Sequence, residues 1–382
     1  MKRAGLLIIV ASLVAGLLPF RGYAAQLDMA VKSAVLVDVA TGTVLYEQNA
    51  HEPLAPASVT KIMTMLLIME AIDSGKISWE DTITASEAAA AKGGSQIYLK
   101  VGESMSVSDM VKSIAVSSAN DCACAMAEHL AGSESAFVDL MNQRAQELGM
   151  ADTHFVNCTG LDDGAEAVNH RTSAYDIAVM SRELLKNHPD IKKFTTIWMD
   201  TVRNGAFGLS NTNKMVRFYD GCTGLKTGFT SGAGYCLSAS AQRNGLELIA
   251  VVMGAATSAD RFAACKGMLD YGFANFALYE PVVQEGATVP VTLGKSPWVG
   301  AIPQEDTKLL VDKGEAGSIV TEVELSPSVT APISAGDVLG KLTIKSQEKI
   351  LKEIPLVAEC DVDRLTWGDI TVKILHQIAM AK

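Results

Sequence analysis

A serine and a lysine, Ser58 and Lys61, stand three residues apart at the start of an apolar run over residues 62–69. Pro53 and Pro56 precede them, and proline suits a helix start because its nitrogen needs no intrahelical bond there. Side chains three residues apart share one side of a helix, so the Lys61 amine can reach the Ser58 hydroxyl. The stretch predicts a serine nucleophile on the first turn of a buried helix, with a lysine as its base.

A lysine works as a base near neutral pH only when its pKa is lowered. Burial against an apolar helix and a second cation nearby would both lower the pKa of Lys61. The spacing alone is weak support, since Ser346 and Lys349 repeat it in a polar, strand-rich region. Serine and lysine are common, so the pair needs catalytic partners elsewhere in the chain.

Two further motifs supply those partners. Ser118-Ala119-Asn120 follows a predicted helix, and Lys226-Thr227-Gly228 lies in a predicted strand. Hydroxyl, amide and ammonium groups at the ends of elements are available to a substrate. The two motifs therefore supply candidate partners for the predicted Ser58 nucleophile.

Apolar spacing and turn residues predict the elements that position these motifs. Strands or short extended pieces are predicted over residues 34–39, 44–47, 81–84, 96–99, 224–229, 235–240 and 246–254. Helices are predicted from the Ser106 cap to residues 117–120, and over residues 122–130, 134–148 and 261–275. Another helix opens with a Ser173 and Asp176 capping box, for which capping is favoured over catalysis, and ends near residue 187. We therefore predict an α+β fold, one antiparallel sheet flanked by helices.

After Tyr279 the pattern changes to short runs of strand period, separated by Gly and Pro. A catalytic domain is therefore predicted over residues 25–279 and a small all-β domain over residues 280–362. Residues 363–382 form the last segment, predicted as an amphipathic helix. Its apolar face would contain Trp367, Ile370, Thr371, Ile374, Leu375 and Ile378.

The chain begins with the features of an export signal. Lys2 and Arg3 precede an apolar run to Phe20, and small residues follow around Ala24. We expect cleavage near residue 24 and release across the membrane; an uncleaved anchor is the alternative. The protein is expected on the outer face of the cytoplasmic membrane, in the cell wall or in the periplasm. The formal net charge of −11 disfavours nucleic acid as a partner, because phosphate binding needs clustered Lys and Arg.

The seven cysteines are an odd number, so at least one cannot pair within the chain. Cys122 and Cys124 diverge on a predicted helix and are poor partners for each other. The simplest prediction is buried free thiols. No spacing typical of metal ligands is present, so neither a metal nor another cofactor is expected.

The three motifs, in this order, are the signature set of penicillin-binding proteins and class A β-lactamases. From about Ser33 to the C-terminus the chain resembles the D-alanyl-D-alanine carboxypeptidases of the low-molecular-mass penicillin-binding protein family. The resemblance also includes Asn157-Cys158-Thr159-Gly160-Leu161 and Gly234-Tyr235-Cys236-Leu237. It implies removal of the terminal D-alanine from peptidoglycan stem peptides ending in D-Ala-D-Ala, with β-lactam antibiotics as covalent inhibitors.

The resemblance also implies roles for individual residues. Ser58 would attack the carbonyl, Lys61 would take its proton, and Ser118 would relay a proton to the leaving amine. The substrate would be held by Asn120, Lys226, Thr227 and Gly228. Because Gly228 has no side chain, it would leave room for the substrate backbone. The N–H groups of Ser58 and Phe229 would bind the oxyanion. Arg261 would support the carboxylate pocket, with a structural ion pair as the equal alternative.

Two other functions compete with this prediction. A β-lactamase needs a glutamate that activates water, and Glu166-Ala167-Val168-Asn169 is one residue short of the usual Glu-x-x-Leu-Asn pattern. A penicillin-sensing or wall-sensing module without turnover is the second alternative, which the intact motifs disfavour. The resemblance further implies that the tail holds the protein at a membrane surface; docking on the β domain or a partner is the alternative.

Overall fold

The computed structural model describes residues 27, 29–281 and 286–380. The predicted export signal over residues 1–24 lies outside the described residues. Most of the described chain forms two parts: a sheet sandwiched between helices, and a sheet-rich region that follows it.

The first part is built on a five-stranded antiparallel sheet in the order β2-β1-β9-β8-β7. These strands are β1 Ser33–Asp38, β2 Val44–Gln48, β7 Cys222–Thr230, β8 Gly234–Arg243 and β9 Leu246–Ala255. Two two-stranded sheets lie outside it, formed by β3 Thr82–Thr84 with β4 Ser104–Ser106 and by β5 Met199–Val202 with β6 Phe207–Ser210. The predicted antiparallel sheet is confirmed.

Helices cover both faces of this sheet. They are α1 Lys61–Asp73, α2 Glu87–Ala90, α3 Val107–Ser117, α4 Asn120–Ala131, α5 Glu134–Glu147, α6 Ala174–Asn187, α7 Lys192–Thr195, α8 Met215–Phe218 and α9 Ser258–Asn275. Alternate residues of β1 enter different cores: Val35 and Val37 join the core with α1, α3 and α6, whereas Ala34 and Leu36 join the core with α9. Since successive strand side chains point to opposite faces, β1 is buried on both.

Two local predictions are wrong. Residues 96–99, predicted as a strand or short extended piece, form no strand, and Tyr98 has a positive φ of 59°. Strand β3 pairs with β4 at residues 104–106. Ser173 caps α6 as predicted by accepting a bond from the Asp176 N–H at 3.1 Å. The Asp176 carboxylate, however, accepts bonds from the Asp152 N–H and the Thr153 hydroxyl, so it joins α6 to a loop instead of completing a capping box.

The predicted all-β region after Tyr279 is confirmed as a six-stranded sheet in the order β14-β16-β17-β12-β11-β15. Its strands are β11 Thr288–Thr292, β12 Trp298–Pro303, β14 Ile319–Leu325, β15 Val329–Thr330, β16 Val338–Ser346 and β17 Lys349–Ala358. The region is fastened to α9 by a separate pair, β10 Phe276–Tyr279 with β13 Leu309–Asp312. The link is reinforced because the Lys313 N–H donates to Asn275 O at 2.7 Å.

The chain closes with helix α10, Trp367–Met380, within the predicted tail. Several of its apolar side chains are exposed, among them Trp367 at 86% and Leu375 at 61%. The side chain of Ile378 lies outside the described residues. None of the described helices has both the length and the apolar character needed to cross a membrane.

Candidate active site

Ser58 lies in a 3₁₀ turn, Ala57–Thr60, and Lys61 is the first residue of α1. The prediction had placed Ser58 on the α-helix itself. With three residues per turn, a 3₁₀ segment places side chains i and i+3 directly above one another. The Lys61 Nζ accordingly lies 2.9 Å from the Ser58 Oγ. The three-residue spacing thus brings the nucleophile and the amine to the same side of the turn.

Lys61 is fully buried. Its Nζ donates a 2.7 Å hydrogen bond to the carbonyl of Thr159. Burial lowers its pKa to about 7, against the opposing influence of Cys158 and Asp121. The amine is therefore poised to lose and regain a proton near neutral pH, as a general base must.

The second motif, Ser118-Ala119-Asn120, connects the end of α3 to the start of α4. Ser118 ends α3 in a left-handed conformation, with φ of 62°, and its buried Oγ has no hydrogen-bond partner among the described residues. Asn120 starts α4; its amide nitrogen donates to Gly93 O at 2.7 Å, whereas its buried Oδ1 has no partner in the described chain. Two polar atoms are thus left available at this point, one on a hydroxyl and one on an amide.

Asp121 explains why residues 96–99 form no strand. Its buried carboxylate accepts bonds from the N–H groups of Ile97 and Leu99, and the Asn120 N–H donates to Ser95 O at 2.7 Å. These bonds tie the 95–99 segment to the start of α4. The backbone groups of this segment that could pair in a sheet therefore bind Asn120 and Asp121 at the start of α4.

The third motif lies on β7. Lys226 is 1% exposed, and its Nζ donates to Thr227 O at 3.0 Å. Its pKa is lowered well below the usual value by burial first, and then by the charges of Lys61 and Arg261. The predicted cation beside Lys61 is therefore present, although burial is what lowers the pKa of Lys61 itself.

Gly228 also makes a contact that the sequence did not predict. A Cβ at this position would lie 2.7 Å from the Pro56 carbonyl oxygen and 3.1 Å from the Ser58 nitrogen. A side chain would push β7 away from the nucleophile turn. The glycine therefore permits the close approach of β7 to the Ser58 N–H.

Arg261 is 7% exposed and donates from Nη1 to the carbonyls of Gly228 and Cys236 at 2.9 and 3.2 Å. It forms no ion pair within the described part of the chain, so the alternative of a structural ion pair does not apply there. Its structural contribution is the support of the β7 and β8 backbone. Its Nε has no partner among the described residues. Phe229 is 53% exposed, and its ring packs against Tyr235 at 4.3 Å between centroids.

Sequence reasoning missed two residues that connect the motifs. Thr159 supplies the carbonyl that holds Lys61, and its only sequence signal was the Asn-Cys-Thr-Gly-Leu segment. Thr212 accepts a 2.6 Å bond from the Thr227 hydroxyl, while its N–H donates to Val116 O near Ser118. No local pattern around Thr212 marks it as part of a site.

The remaining sequence predictions at this site concern Glu166 and the cysteines. Glu166 is exposed in a 3₁₀ turn, Ala165–Asn169, and its carboxylate accepts a bond from Asn169. That arrangement does not favour the β-lactamase alternative. All seven cysteines are free thiols in the described structure; Cys222 is half-buried, Cys360 is exposed and the other five are buried.

The arrangement has the parts needed for acyl transfer. A serine hydroxyl lies beside a buried amine of near-neutral pKa, and a second serine and an asparagine offer unpaired polar atoms. A buried lysine on the neighbouring strand can bind an anionic substrate group, which would favour its protonated form. Such a set can form and then cleave a serine ester.

Comparisons with known proteins agree with this chemistry. The family model described as D-alanyl-D-alanine carboxypeptidase matches residues 21–257. The model described as penicillin-binding protein 5, C-terminal domain, matches residues 279–364. Together they cover both the helix-flanked sheet and the all-β region.

Similar proteins are found over most of the chain. It is 44% identical over 346 residues to the D-alanyl-D-alanine carboxypeptidase DacF of Bacillus subtilis, covering 89% of this chain and 87% of that protein. It is 33% identical to DacA of Escherichia coli, covering 93% and 88%.

Solved structures are similar as well. Penicillin-binding protein 5 from Haemophilus influenzae superposes with a TM-score of 0.74 at 30% identity, covering 88% of this chain and 98% of that one. The ampicillin-bound penicillin-binding protein D2 from Listeria monocytogenes gives a TM-score of 0.59 at 32% identity, covering 65% of this chain and 99% of that one.

Proposed function

The chain belongs to the D-alanyl-D-alanine carboxypeptidase family and is a serine-type D-Ala-D-Ala carboxypeptidase of cell-wall metabolism, and we propose that Ser58, Lys61 and Ser118 carry its chemistry. The observation that supports this assignment best is the buried Lys61 amine, held between Ser58 Oγ and Thr159 O with a pKa of about 7. Release of D-alanine from a peptide ending in D-Ala-D-Ala, measured for the wild type and the variants below, tests it.

Acylation begins when the neutral Lys61 amine accepts the Ser58 hydroxyl proton and Ser58 Oγ attacks the penultimate carbonyl. The N–H groups of Ser58 and Phe229 are proposed to bind the oxyanion, since β7 approaches the Ser58 nitrogen at Gly228. Ser118 relays the proton from the Lys61 ammonium to the leaving D-alanine amine, which returns Lys61 to its neutral form. Water then cleaves the ester, and Lys61 is again the base for that step.

Substrate placement is proposed to depend on the edge of β7 and the start of α4. The buried Lys226 side chain and the Thr227 hydroxyl bind the terminal carboxylate, an anion that favours the protonated, cationic form of Lys226 against the burial that lowers its pKa. The unpaired Asn120 Oδ1 accepts a hydrogen bond from a substrate N–H. Arg261 acts by holding the Gly228 carbonyl and hence the strand.

Lys226→Ala is expected to lower kcat/KM for peptide hydrolysis by about tenfold to hundredfold, the effect of losing a hydrogen bond to a charged group. The measurement compares a substrate with a free C-terminal carboxylate and its C-terminal amide. The wild type should prefer the carboxylate strongly, and the variant should lose that preference. The exposed Lys214, changed to Ala, is the matched control. A preference unchanged in Lys226→Ala would make this lysine structural.

β-Lactams are proposed to acylate Ser58 because they present a strained amide and a carboxylate to the same groups. A penicillin or wall sensor without turnover would be acylated too, but would release no D-alanine. Steady release therefore separates the enzyme from the sensor. No cofactor is needed for any of these steps.

The protein is proposed to act outside the cytoplasm, with residues 25–279 as the catalytic domain and residues 280–362 as a stalk. The tail, residues 363–382, is proposed to rest on a membrane surface. Support comes from the exposed apolar side chains of α10, Trp367, Val372, Ile374, Leu375 and Met380. A Trp and large aliphatic residues on one helix suit the headgroup region of a bilayer.

Ending the chain at Asp363 is expected to reduce vesicle binding severalfold while leaving turnover of a soluble peptide within about twofold, because the tail begins at the β region, where the Leu365 N–H donates to Leu293 O. Flotation with neutral and anionic vesicles measures binding. The two vesicle types should give similar results, since the charges in the tail, Asp369, Lys373 and Lys382, nearly cancel. If full-length and truncated proteins float equally poorly, the tail belongs to the fold or to a partner protein.

A further inference from the structure

His170 lies behind the nucleophile turn and takes no part in the chemistry described above. Its side chain is almost completely buried, at 3% exposure, with the Phe155 ring 5.7 Å away between centroids. Its Nδ1 lies 3.0 Å from the Val156 nitrogen, and its Nε2 lies 2.7 Å from the Thr60 Oγ1. Both ring nitrogens therefore have a protein partner.

The partners determine where the protons are. The Val156 N–H can only donate, so Nδ1 accepts, and a neutral ring then has its proton on Nε2. The Nε2–H donates to Thr60 Oγ1, whose own proton is donated to Ala57 O at 2.8 Å. Burial lowers the pKa of His170 to about 4, so the ring is neutral at neutral pH. The bonds form one directed chain that ends on the carbonyl of the residue before Ser58.

That carbonyl belongs to a strained residue. Ala57 has a φ of 48°, a left-handed conformation that costs a residue with a Cβ roughly 1–2 kcal/mol. Strain of this kind persists only where surrounding contacts hold it. The Thr60 hydroxyl is one such contact, because it anchors the Ala57 oxygen inside the turn.

The same carbonyl also packs against the loop that holds the base. A Cβ on Gly160 would lie only 1.8 Å from Ala57 O, so the loop backbone rests directly on it. The preceding residue, Thr159, supplies the carbonyl that receives the Lys61 Nζ. Val156, at the start of this loop, binds the other side of His170. One imidazole thus links the nucleophile turn to the loop that orients the amine.

We propose that Thr60 and His170 are positioning residues for acylation, which hold the Ser58 turn and the Thr159 loop in the register that aligns Ser58 Oγ, Ser58 N–H and Lys61 Nζ. Neither residue touches the substrate. The inference rests on the proposed function, because it assigns an alignment role in that reaction. A displacement of about 1 Å at such a turn can reduce a rate by about a hundredfold.

The test uses Thr60→Val, which keeps the side-chain shape and removes the hydroxyl, and Thr60→Ser, which keeps the hydroxyl. His170→Gln retains a donor for Thr60, and the double variant Thr60→Val with His170→Gln completes a cycle. His154→Gln is the matched control, an exposed histidine near the same loop. Acylation by a fluorescent penicillin is followed over a range of concentrations, and thermal melting checks the fold.

For Thr60→Val we expect the maximal acylation rate to fall at least tenfold, with the half-saturating penicillin concentration within about twofold of wild type. Thr60→Ser should stay within about threefold, and the double variant should be no slower than the slower single variant. A purely structural role would lower the melting temperature without lowering the maximal acylation rate selectively at an unchanged half-saturating concentration.

A Thr60→Val protein acylated at the wild-type rate would overturn the inference, as would effects that multiply in the double variant. If His170→Gln melts early, the comparison of Thr60→Val with Thr60→Ser still decides. Failure of the proposed function would look different: the wild type itself would not be acylated or would release no D-alanine.

Discussion

Ser58→Ala is expected to abolish both D-alanine release and covalent labelling by penicillin while the protein stays folded. The substitution removes the oxygen that is proposed to form the ester, so no acyl-enzyme is expected. Removal of one hydroxyl at a helix start costs at most about 2 kcal/mol of stability. Mass spectrometry after incubation with penicillin, together with a thermal melt, measures both consequences.

The chain provides its own control for this experiment. Ser346 repeats the spacing to a lysine, but it lies at the end of β16 and pairs with Lys349 across a tight turn at the start of β17. Its Oγ contacts the hydroxyl of Ser318, and Lys349 is exposed. Ser346→Ala should therefore label at the wild-type rate. Labelling that persisted in Ser58→Ala would remove Ser58 from the mechanism.

Lys61→Met is expected to slow acylation by about a hundredfold to ten-thousandfold, the range for loss of a general base. The methionine fills similar space and cannot accept the Ser58 proton. In the wild type, the amine is protonated below its pKa of about 7. The acylation rate should therefore rise about tenfold per pH unit up to pH 7 and level off above it.

Measurement of the acylation rate from pH 5 to 9 checks this prediction, and Lys92→Met is the matched control. Lys92 is half-buried and pairs with Glu134, and its pKa is raised, with that hydrogen bond and charge overcoming its desolvation. It should not alter the pH profile. A wild-type profile that is flat below pH 7, or a Lys61→Met profile that still bends there, would exclude Lys61 as the titrating base.

Much of the candidate site could be predicted from short stretches of the sequence. Ser58 and Lys61 are three residues apart in the sequence. The Ser118 motif lies at the end of a predicted helix and the Lys226 motif lies in a predicted strand, because the residues next to each motif end the helix or favour the strand. Apolar periods of helix and strand likewise predicted α3, α6, β7, β8 and β9 to within a few residues. These signals are readable because they depend on neighbours along the chain.

Only the tertiary structure decided how these pieces meet. The Lys61 amine finds its acceptor 98 residues away at Thr159, and Thr60 meets His170 across 110 residues. The contact that requires glycine at 228 is with the Ser58 turn, and residues 97–99 bind Asp121 instead of forming a strand. A hydrogen bond between two distant segments leaves no repeating pattern in the sequence of either segment. Composition and spacing could therefore predict the reacting groups but not the contacts that hold them in place.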